Sequence, residues 1–136
     1  MVASAIVDSN VFVGLLRRGC DPVRELANWI GDGEIITCGM VRMEVERGIK
    51  SPRLRRHLGG FFDVMLYRQT TNRIWENASR MAWELDRKGL VLPSQDILIA
   101  TIAKESCATV LTDDSHFAHI PGIHILKPSD VLPAWK

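Results

Sequence analysis

Short apolar runs that alternate with helix-like segments constrain the fold of this chain more than any other feature. Five runs of four or five residues are rich in apolar side chains, at positions 3–7, 34–38, 63–67, 108–112 and 123–126. Strands that alternate with helices form βαβ units, whose parallel strands are buried on both faces and need no alternating polar residues. The sequence therefore predicts an α/β fold with a central, mostly parallel sheet of four to five strands flanked by helices.

The segments between these runs carry start and stop signals for helices. Pro22 follows a capping Asp21, and glycines follow several of the helical patterns. Gly59 and Gly60 are predicted to end a short helix that begins after Ser51. The predicted helices cover about residues 11–17, 22–30, 40–48, 52–58, 71–88 and 92–107, and residues 127–136 are predicted to form a tail.

Composition indicates an ordinary globular protein. The chain has 136 residues, of which 46% are hydrophobic and 24% are charged, so we expect one domain covering residues 1–136. The formal net charge of +1 supplies no global positive field for nucleic acid. Three widely spaced cysteines without a CxxC motif favour a reducing, cytoplasmic location, and the apolar segments are too short to predict a membrane span.

Acidic residues follow two of the predicted strands. Asp8 ends the first strand, and Asp113 and Asp114 follow the fourth. Ligands in parallel sheets bind beyond the carboxyl ends of the strands, where these side chains are expected. Glu44 and Asp96 lie in predicted helices that approach the same edge.

Each of these acids also has an ordinary structural explanation. Asp8 is a good helix cap, Asp96 complements a helix dipole, and Asp114 suits a turn. Taken singly, Glu44 fits a solvated helix position better than a site. Taken together, several carboxylates near buried strand ends repel one another and are costly to desolvate.

A bound cation would offset this repulsion. Oxygen ligands suit Mg²⁺ or Mn²⁺, whereas no histidine and cysteine spacing typical of zinc is present. The scattered histidines are expected to be mainly surface or structural residues: His57, His116, His119 and His124.

Four segments resemble the PIN-domain family in their order and spacing. They read VDSN, MEVERG, LPSQDILIATIA and LTDDSHFAHIPGIHIL, and together they span nearly the whole chain. Within the family, the sequence is most similar to the VapC-type toxins of toxin–antitoxin pairs. The resemblance implies a single PIN-like domain, a ribonuclease that depends on Mg²⁺ or Mn²⁺, a homodimer, and inhibition by a cognate antitoxin protein.

The resemblance also implies roles for individual residues. The family's four acids fall on Asp8, Glu44, Asp96 and Asp114, with Asp113 as the alternative register for the last. Asp8, Asp96 and Asp114 are expected to bind metal, and Glu44 to bind metal or orient the water. Supporting hydrogen bonds to the carboxylates are expected from Ser9, Asn10 and Thr112. Many relatives carry a further acid near Asp96, where this chain has Ser94 and Gln95, which predicts a weaker second metal position.

Local basic residues are the candidates for contact with RNA phosphates. Two groups stand out in the sequence: Arg17 and Arg18, and Arg53, Arg55 and Arg56.

Other functions compete with this interpretation. A phosphoryl-receiver module also has a parallel sheet, an acidic pocket and a late Lys-Pro pair, here Lys127-Pro128, but its acidic pair lies on the first strand rather than near the end of the chain. A non-catalytic PIN-like module that binds RNA or a partner is a second alternative. A nuclease that acts on DNA, or on RNA outside a toxin pair, is a third.

Overall fold

The sheet has five parallel strands in the order β3-β2-β1-β4-β5. The structure is a computed structural model and describes residues 2–135. Ile6 in the central strand pairs with Ile36 on one side and Val110 on the other. The strands are β1 (Ser4–Val7), β2 (Glu34–Thr37), β3 (Leu66–Tyr67), β4 (Thr109–Leu111) and β5 (His124–Leu126).

Helices cover the sheet and begin largely where the sequence predicts. Side chains of Asp21, Ser51 and Thr71 accept the capping hydrogen bonds of three helices. The predicted α/β fold with a parallel sheet is thus confirmed. The helices are α1 (Ser9–Arg17), α2 (Pro22–Ile30), α3 (Gly39–Arg47), α4 (Pro52–Val64), α5 (Asn72–Arg87), α6 (Ser94–Ser106) and α7 (Pro128–Val131), with 3₁₀ turns at Ser115–His119 and Pro133–Trp135.

Helix α6 is buried on all sides over residues 96–103. A helix with no polar face belongs in the core, which explains why its sequence shows little amphipathic periodicity. Because Asp96 opens this buried stretch, the fold carries its carboxylate into the interior. Among residues 2–135, no helix combines the length and the hydropathy needed to cross a membrane.

The prediction that Gly59 and Gly60 end a helix is wrong. Helix α4 continues through both glycines to Val64, so the first two residues of the strand predicted at residues 63–67 are helical and β3 has two residues. Gly59 is buried where α4 approaches α3, and a Cβ there would lie 3.4 Å from Nη2 of Arg42. Gly59 thus lies inside the helix and does not end it.

The predicted tail is folded onto α1. Trp135 is buried, and its ring lies against the backbone of Gly14. The Arg18 guanidinium donates to the carbonyl oxygens of Trp135 and Gly14 at 2.9 Å each, and it stacks 3.9 Å from the centroid of the Trp135 ring. These contacts occupy the guanidinium that the sequence suggested for RNA. Residue 136 of the predicted tail lies outside the described residues.

Substitution of Gly14 by alanine tests this packing. A Cβ at Gly14 would overlap the Trp135 ring, so we expect Gly14→Ala to lower the free energy of unfolding by about 1–3 kcal/mol. Gly60→Ala is the matched control, because Gly60 also lies inside a helix but a Cβ there meets no atom of residues 2–135 within 4 Å. Gly60→Ala should stabilise the protein by roughly 0.5–1 kcal/mol. Urea denaturation measures both, and equal effects would contradict the packing.

Candidate active site at the carboxyl edge of the sheet

Asp8 is held by hydrogen bonds to both of its carboxylate oxygens. It directly follows β1, caps α1 and is 5% exposed. The Ser9 amide donates to Oδ1 at 2.8 Å, and the Thr112 hydroxyl donates to Oδ2 at 2.8 Å. The side-chain Nδ2 of Asn10 also donates to Oδ2, at 3.2 Å. The orientation of this carboxylate is therefore fixed.

Thr112 links the loops that follow the neighbouring strands β1 and β4. Besides donating to Asp8, its hydroxyl oxygen accepts from the backbone amide of Asp114 at 3.0 Å and from Asn10 Nδ2 at 3.3 Å. Asn10 Oδ1 in turn accepts from the Asp113 amide at 3.3 Å. The polar residues that the sequence proposed as supports thus contact Asp8 and fix the loop that carries Asp114.

The structure brings Asp114 into the acidic cluster and leaves Asp113 outside it. Asp114 is partly buried, and its Oδ1 accepts from the His116 amide at 2.9 Å at the start of a 3₁₀ turn. Its charge is close enough to raise the pKa of Asp8 and of Asp96. Asp113 is exposed.

Asp96 joins Asp114 through His116. Its carboxylate is 10% exposed, and His116 Nδ1 lies 3.1 Å from both Asp96 Oδ2 and Asp114 Oδ1. The three side chains each offer one ligand atom, and these atoms lie within 4.8 Å of one another. This group is the part of the cluster with the closest approach of potential ligands.

Glu44 approaches Asp8 from α3. The Ser9 hydroxyl lies 3.4 Å from Glu44 Oε2 and donates to it. The other oxygen, Oε1, is buried and meets no hydrogen-bond donor within residues 2–135. A buried carboxylate oxygen without a donor is unusual, because leaving it unpaired costs free energy. Glu44 is therefore better explained as part of the site than as a solvated helix position.

Burial dominates the electrostatics of the cluster. Burial raises the pKa of Asp8, and the hydrogen bond from Thr112 opposes this rise. Burial raises the pKa of Asp96 to about 6, where the charges of Asp114 and Asp8 add to the effect of burial and the bond to His116 opposes it. Burial and the charge of Asp8 likewise raise the pKa of Glu44.

His116 is the residue of the site that sequence reasoning missed. It was expected to be a surface or structural residue, but its ring contacts two of the four acids. Its hydrogen bond to Asp96 and the charge of Asp114 raise its pKa, because both carboxylates favour the protonated ring. Its position two residues after Asp114 was the available signal, since one 3₁₀ turn returns the side chain to that carboxylate. His57, in contrast, pairs with Asp21 at 3.1 Å and links α4 to α2.

The five arginines predicted to contact RNA have different surroundings, and Arg56 is exposed on α4. Arg17 is exposed at the end of α1, and Arg18 holds the C-terminal segment. Arg53 lies beside His57, whereas Arg55 lies beside Glu46 on α3.

Comparisons with known proteins agree with this fold. The sequence matches the PIN domain over residues 5–123. The structure is similar to DNA-bound VapBC from Salmonella typhimurium, with a TM-score of 0.75, 23% identity, and coverage of 93% of this chain and 98% of that chain. It is similar to promoter-bound VapBC2 from Rickettsia felis, with a TM-score of 0.73, 21% identity, and coverage of 91% and 98%.

A more distant structure is the PIN domain endonuclease Utp24, with a TM-score of 0.54, 21% identity, and coverage of 91% of this chain and 84% of that chain. No curated protein matches the sequence. Because the family match spans most of the chain and the fold agrees with it, this protein belongs to the PIN-domain family.

Proposed function

We propose that this protein is an endoribonuclease that hydrolyses RNA phosphodiester bonds with the help of Mg²⁺ or Mn²⁺. PIN domains are nucleases, which gives the general class of reaction. The observation that carries the proposal is the convergence of four carboxylates, Asp8, Glu44, Asp96 and Asp114, with an oxygen of Glu44 buried and without a donor.

The donor set fits a hard divalent cation. Burial and mutual repulsion raise the pKa of Asp8, Glu44 and Asp96, so a positive charge between them would remove an electrostatic cost. Carboxylate oxygens are the ligands that Mg²⁺ and Mn²⁺ prefer. In this proposal Asp8, Asp96 and Asp114 hold the ion, and Glu44 holds it or orients the attacking water.

The remaining polar residues keep the carboxylates in position. When bound, the divalent ion would activate water and neutralise charge on the phosphoryl oxygens. Thr112 and Asn10 fix the oxygen of Asp8 that they share, and Ser9 links Asp8 to Glu44. His116 links Asp96 and Asp114, because its Nδ1 lies 3.1 Å from one carboxylate oxygen of each. Ser94 and Gln95 add no carboxylate, which favours one tightly held ion over two.

We further propose that the protein is the toxin of a toxin–antitoxin pair. Its fold is similar to the VapBC complexes named above, which supports a cognate antitoxin as partner. The family resemblance adds a homodimer to this proposal, and the cysteine pattern adds a cytoplasmic location. The receiver alternative does not fit a PIN domain. The cleavage assay below distinguishes a nuclease from a non-catalytic RNA-binding module.

The neighbouring acids Asp113 and Asp114 provide a matched pair for the cleavage assay. We expect Asp8→Asn and Asp114→Asn to lower Mn²⁺-dependent cleavage of defined RNAs by at least roughly 100-fold, because each removes a charged ligand. Asp113→Asn should retain activity, since its side chain is exposed and its backbone amide is unchanged. The readout is gel analysis of digests with Mn²⁺, with Mg²⁺ and with EDTA. Undiminished cleavage by Asp8→Asn would reject the metal-dependent mechanism, and RNA binding without cleavage would support the non-catalytic role.

The buried charge of Asp96 predicts an unusual pH dependence of stability. A carboxyl group whose pKa is raised to about 6 in the folded state, from an ordinary value of 3.8, favours folding when protonated. That contribution is lost as the pH rises through about 6. In EDTA we therefore expect the melting temperature to fall between pH 5 and pH 7.5, and to fall less for Asp96→Asn.

The same substitution should raise metal-free stability at pH 7.5 by on the order of 1 kcal/mol, because it removes a buried charge. Mn²⁺ should stabilise the wild-type protein more than Asp96→Asn. Thermal unfolding followed by circular dichroism measures both effects. If the melting temperature of Asp96→Asn depends on pH as that of the wild-type protein does, the charged carboxylate of Asp96 does not destabilise the fold.

The toxin proposal makes a prediction in cells. Induced expression of the wild-type chain should arrest growth, whereas Asp114→Asn, produced at the same level, should not. Co-expression of a small protein encoded next to this gene should restore growth and co-purify with the chain. If Asp114→Asn still arrests growth, the toxicity does not come from cleavage at the acidic site, and the toxin proposal in this form is wrong.

A further inference from the structure

A groove of about 390 Å³ lies between α3 and α4, beside the part of α3 that carries Glu44. Its lining is strongly basic, with three arginines against one glutamate, whereas the whole chain carries a net charge of only +1. The lining residues are Gly39, Arg42, Met43, Glu46, Arg47 and Arg55.

Glu46 holds two of these arginines in place. Its Oε1 lies 3.4 Å from Arg42 Nε, and its Oε2 lies 3.9 Å from Arg55 Nη2. Arg42 also donates to Asp63 at 2.9 Å and to the Tyr67 hydroxyl at 3.3 Å. Arg42 is thus occupied by intramolecular contacts, and it serves the packing of α3 against α4.

The other two arginines have charge available for a ligand. The side chain of Arg55 is 64% exposed, and its single ion-pair contact with residues 2–135 is the long one to Glu46. Arg47 is exposed and forms no ion pair within the described range 2–135. Between them, Met43 exposes 53% of its surface, which adds an apolar contact to the basic groove.

Arg47 borders both the groove and the acidic cluster. On α3 it is three residues after Glu44 and four after Met43, so helical geometry places it on the side of the helix between them. Its charge acts on Glu44 and opposes the rise in the pKa of that carboxyl group. Arg47 therefore lies on α3 between Glu44 and the rest of the groove.

We propose that this groove, which we call the α3–α4 groove, binds the RNA strand that flanks the scissile phosphate, with Arg47 and Arg55 contacting phosphates and Met43 contacting a base. The proposal rests on the proposed ribonuclease function. Guanidinium groups suit phosphate oxygens in geometry and charge, and exposed apolar side chains suit the faces of unstacked bases. The position of the groove beside Glu44 favours the substrate over a separate acidic protein.

Binding of a fluorescently labelled single-stranded RNA in EDTA tests the groove without cleavage. We expect Arg47→Ala and Arg55→Ala each to weaken binding roughly three- to tenfold and to lower the slope of log K against log salt by about 0.7, the value for one lost phosphate contact on a single strand. Arg47→Lys should retain most of the affinity because it keeps the charge. Fluorescence anisotropy over a salt series gives both quantities, and circular dichroism confirms that each variant is folded.

Arg24→Ala is the matched control. The Arg24 side chain is 68% exposed and pairs with one glutamate, Glu25, as Arg55 pairs with Glu46, but it lies on α2 outside the groove. Its substitution should leave RNA affinity unchanged. Equal losses in Arg24→Ala and Arg55→Ala would overturn the proposal, because they would reflect overall charge alone.

Three other results would also overturn it: no RNA binding by the wild-type chain, unchanged binding in both groove variants, or arginine-dependent binding of labelled polyglutamate in place of RNA. The nuclease proposal is judged separately by digests with Mn²⁺. RNA binding that depends on the groove arginines but occurs without cleavage would support the groove and refute the nuclease. Cleavage that is unchanged in both arginine variants would support the nuclease and refute the groove.

Discussion

The hydrogen bond from the Thr112 hydroxyl to Asp8 joins the two loops on which the candidate site is built. These loops follow adjacent parallel strands, β1 and β4, and two further hydrogen bonds join them, from the Asp8 amide to the Leu111 carbonyl and from the Asp113 amide to Asn10 Oδ1. The Thr112 hydroxyl also accepts a hydrogen bond from the Asp114 amide, which helps to set the position of the second loop. This buried hydroxyl thus contacts both the carboxylate of Asp8 and the backbone of Asp114, and it helps to hold two acidic residues near each other against their mutual repulsion.

Stability and chemistry oppose each other at this edge of the sheet. The apolar residues that make α6 a core helix also remove water from Asp96, and burial there raises the pKa of the carboxyl group to about 6. Desolvation of this kind is a cost to the folded protein in the absence of a compensating charge. In the proposed function, a bound cation would offset this cost, because a positive charge between the carboxylates reduces their repulsion. His116 relieves part of it within the chain itself.

Sequence patterns located the parts of this site that depend on strand ends. Asp8 and Asp114 were predictable because the carboxyl ends of parallel strands share one edge, and Asp96 because it opens an apolar helix. Glu44 and the choice of Asp114 over Asp113 rested on the family resemblance, and their geometry became evident only with side-chain positions. His116, the continuation of α4 through Gly59, and the burial of Trp135 were not predicted. The burial of Trp135 and the contact of His116 with Asp96 join distant segments, about which local propensity carries no information. The contact of His116 with Asp114, in contrast, lies within one 3₁₀ turn.

The arginines show why composition alone does not locate a nucleic-acid surface. Arg18, Arg42, Arg47 and Arg55 have the same charge, but two of them are committed to the fold: Arg18 to the C-terminal segment and Arg42 to Asp63 and Tyr67. A guanidinium that already donates to buried or fixed acceptors gains little from a phosphate, because it would exchange one set of hydrogen bonds for another. Arg47 and Arg55 differ because both are exposed and line the α3–α4 groove with donors that the fold leaves largely unpaired within residues 2–135. In a chain with nearly balanced charge, the proposed recognition of RNA would then depend on which arginines the fold leaves unused.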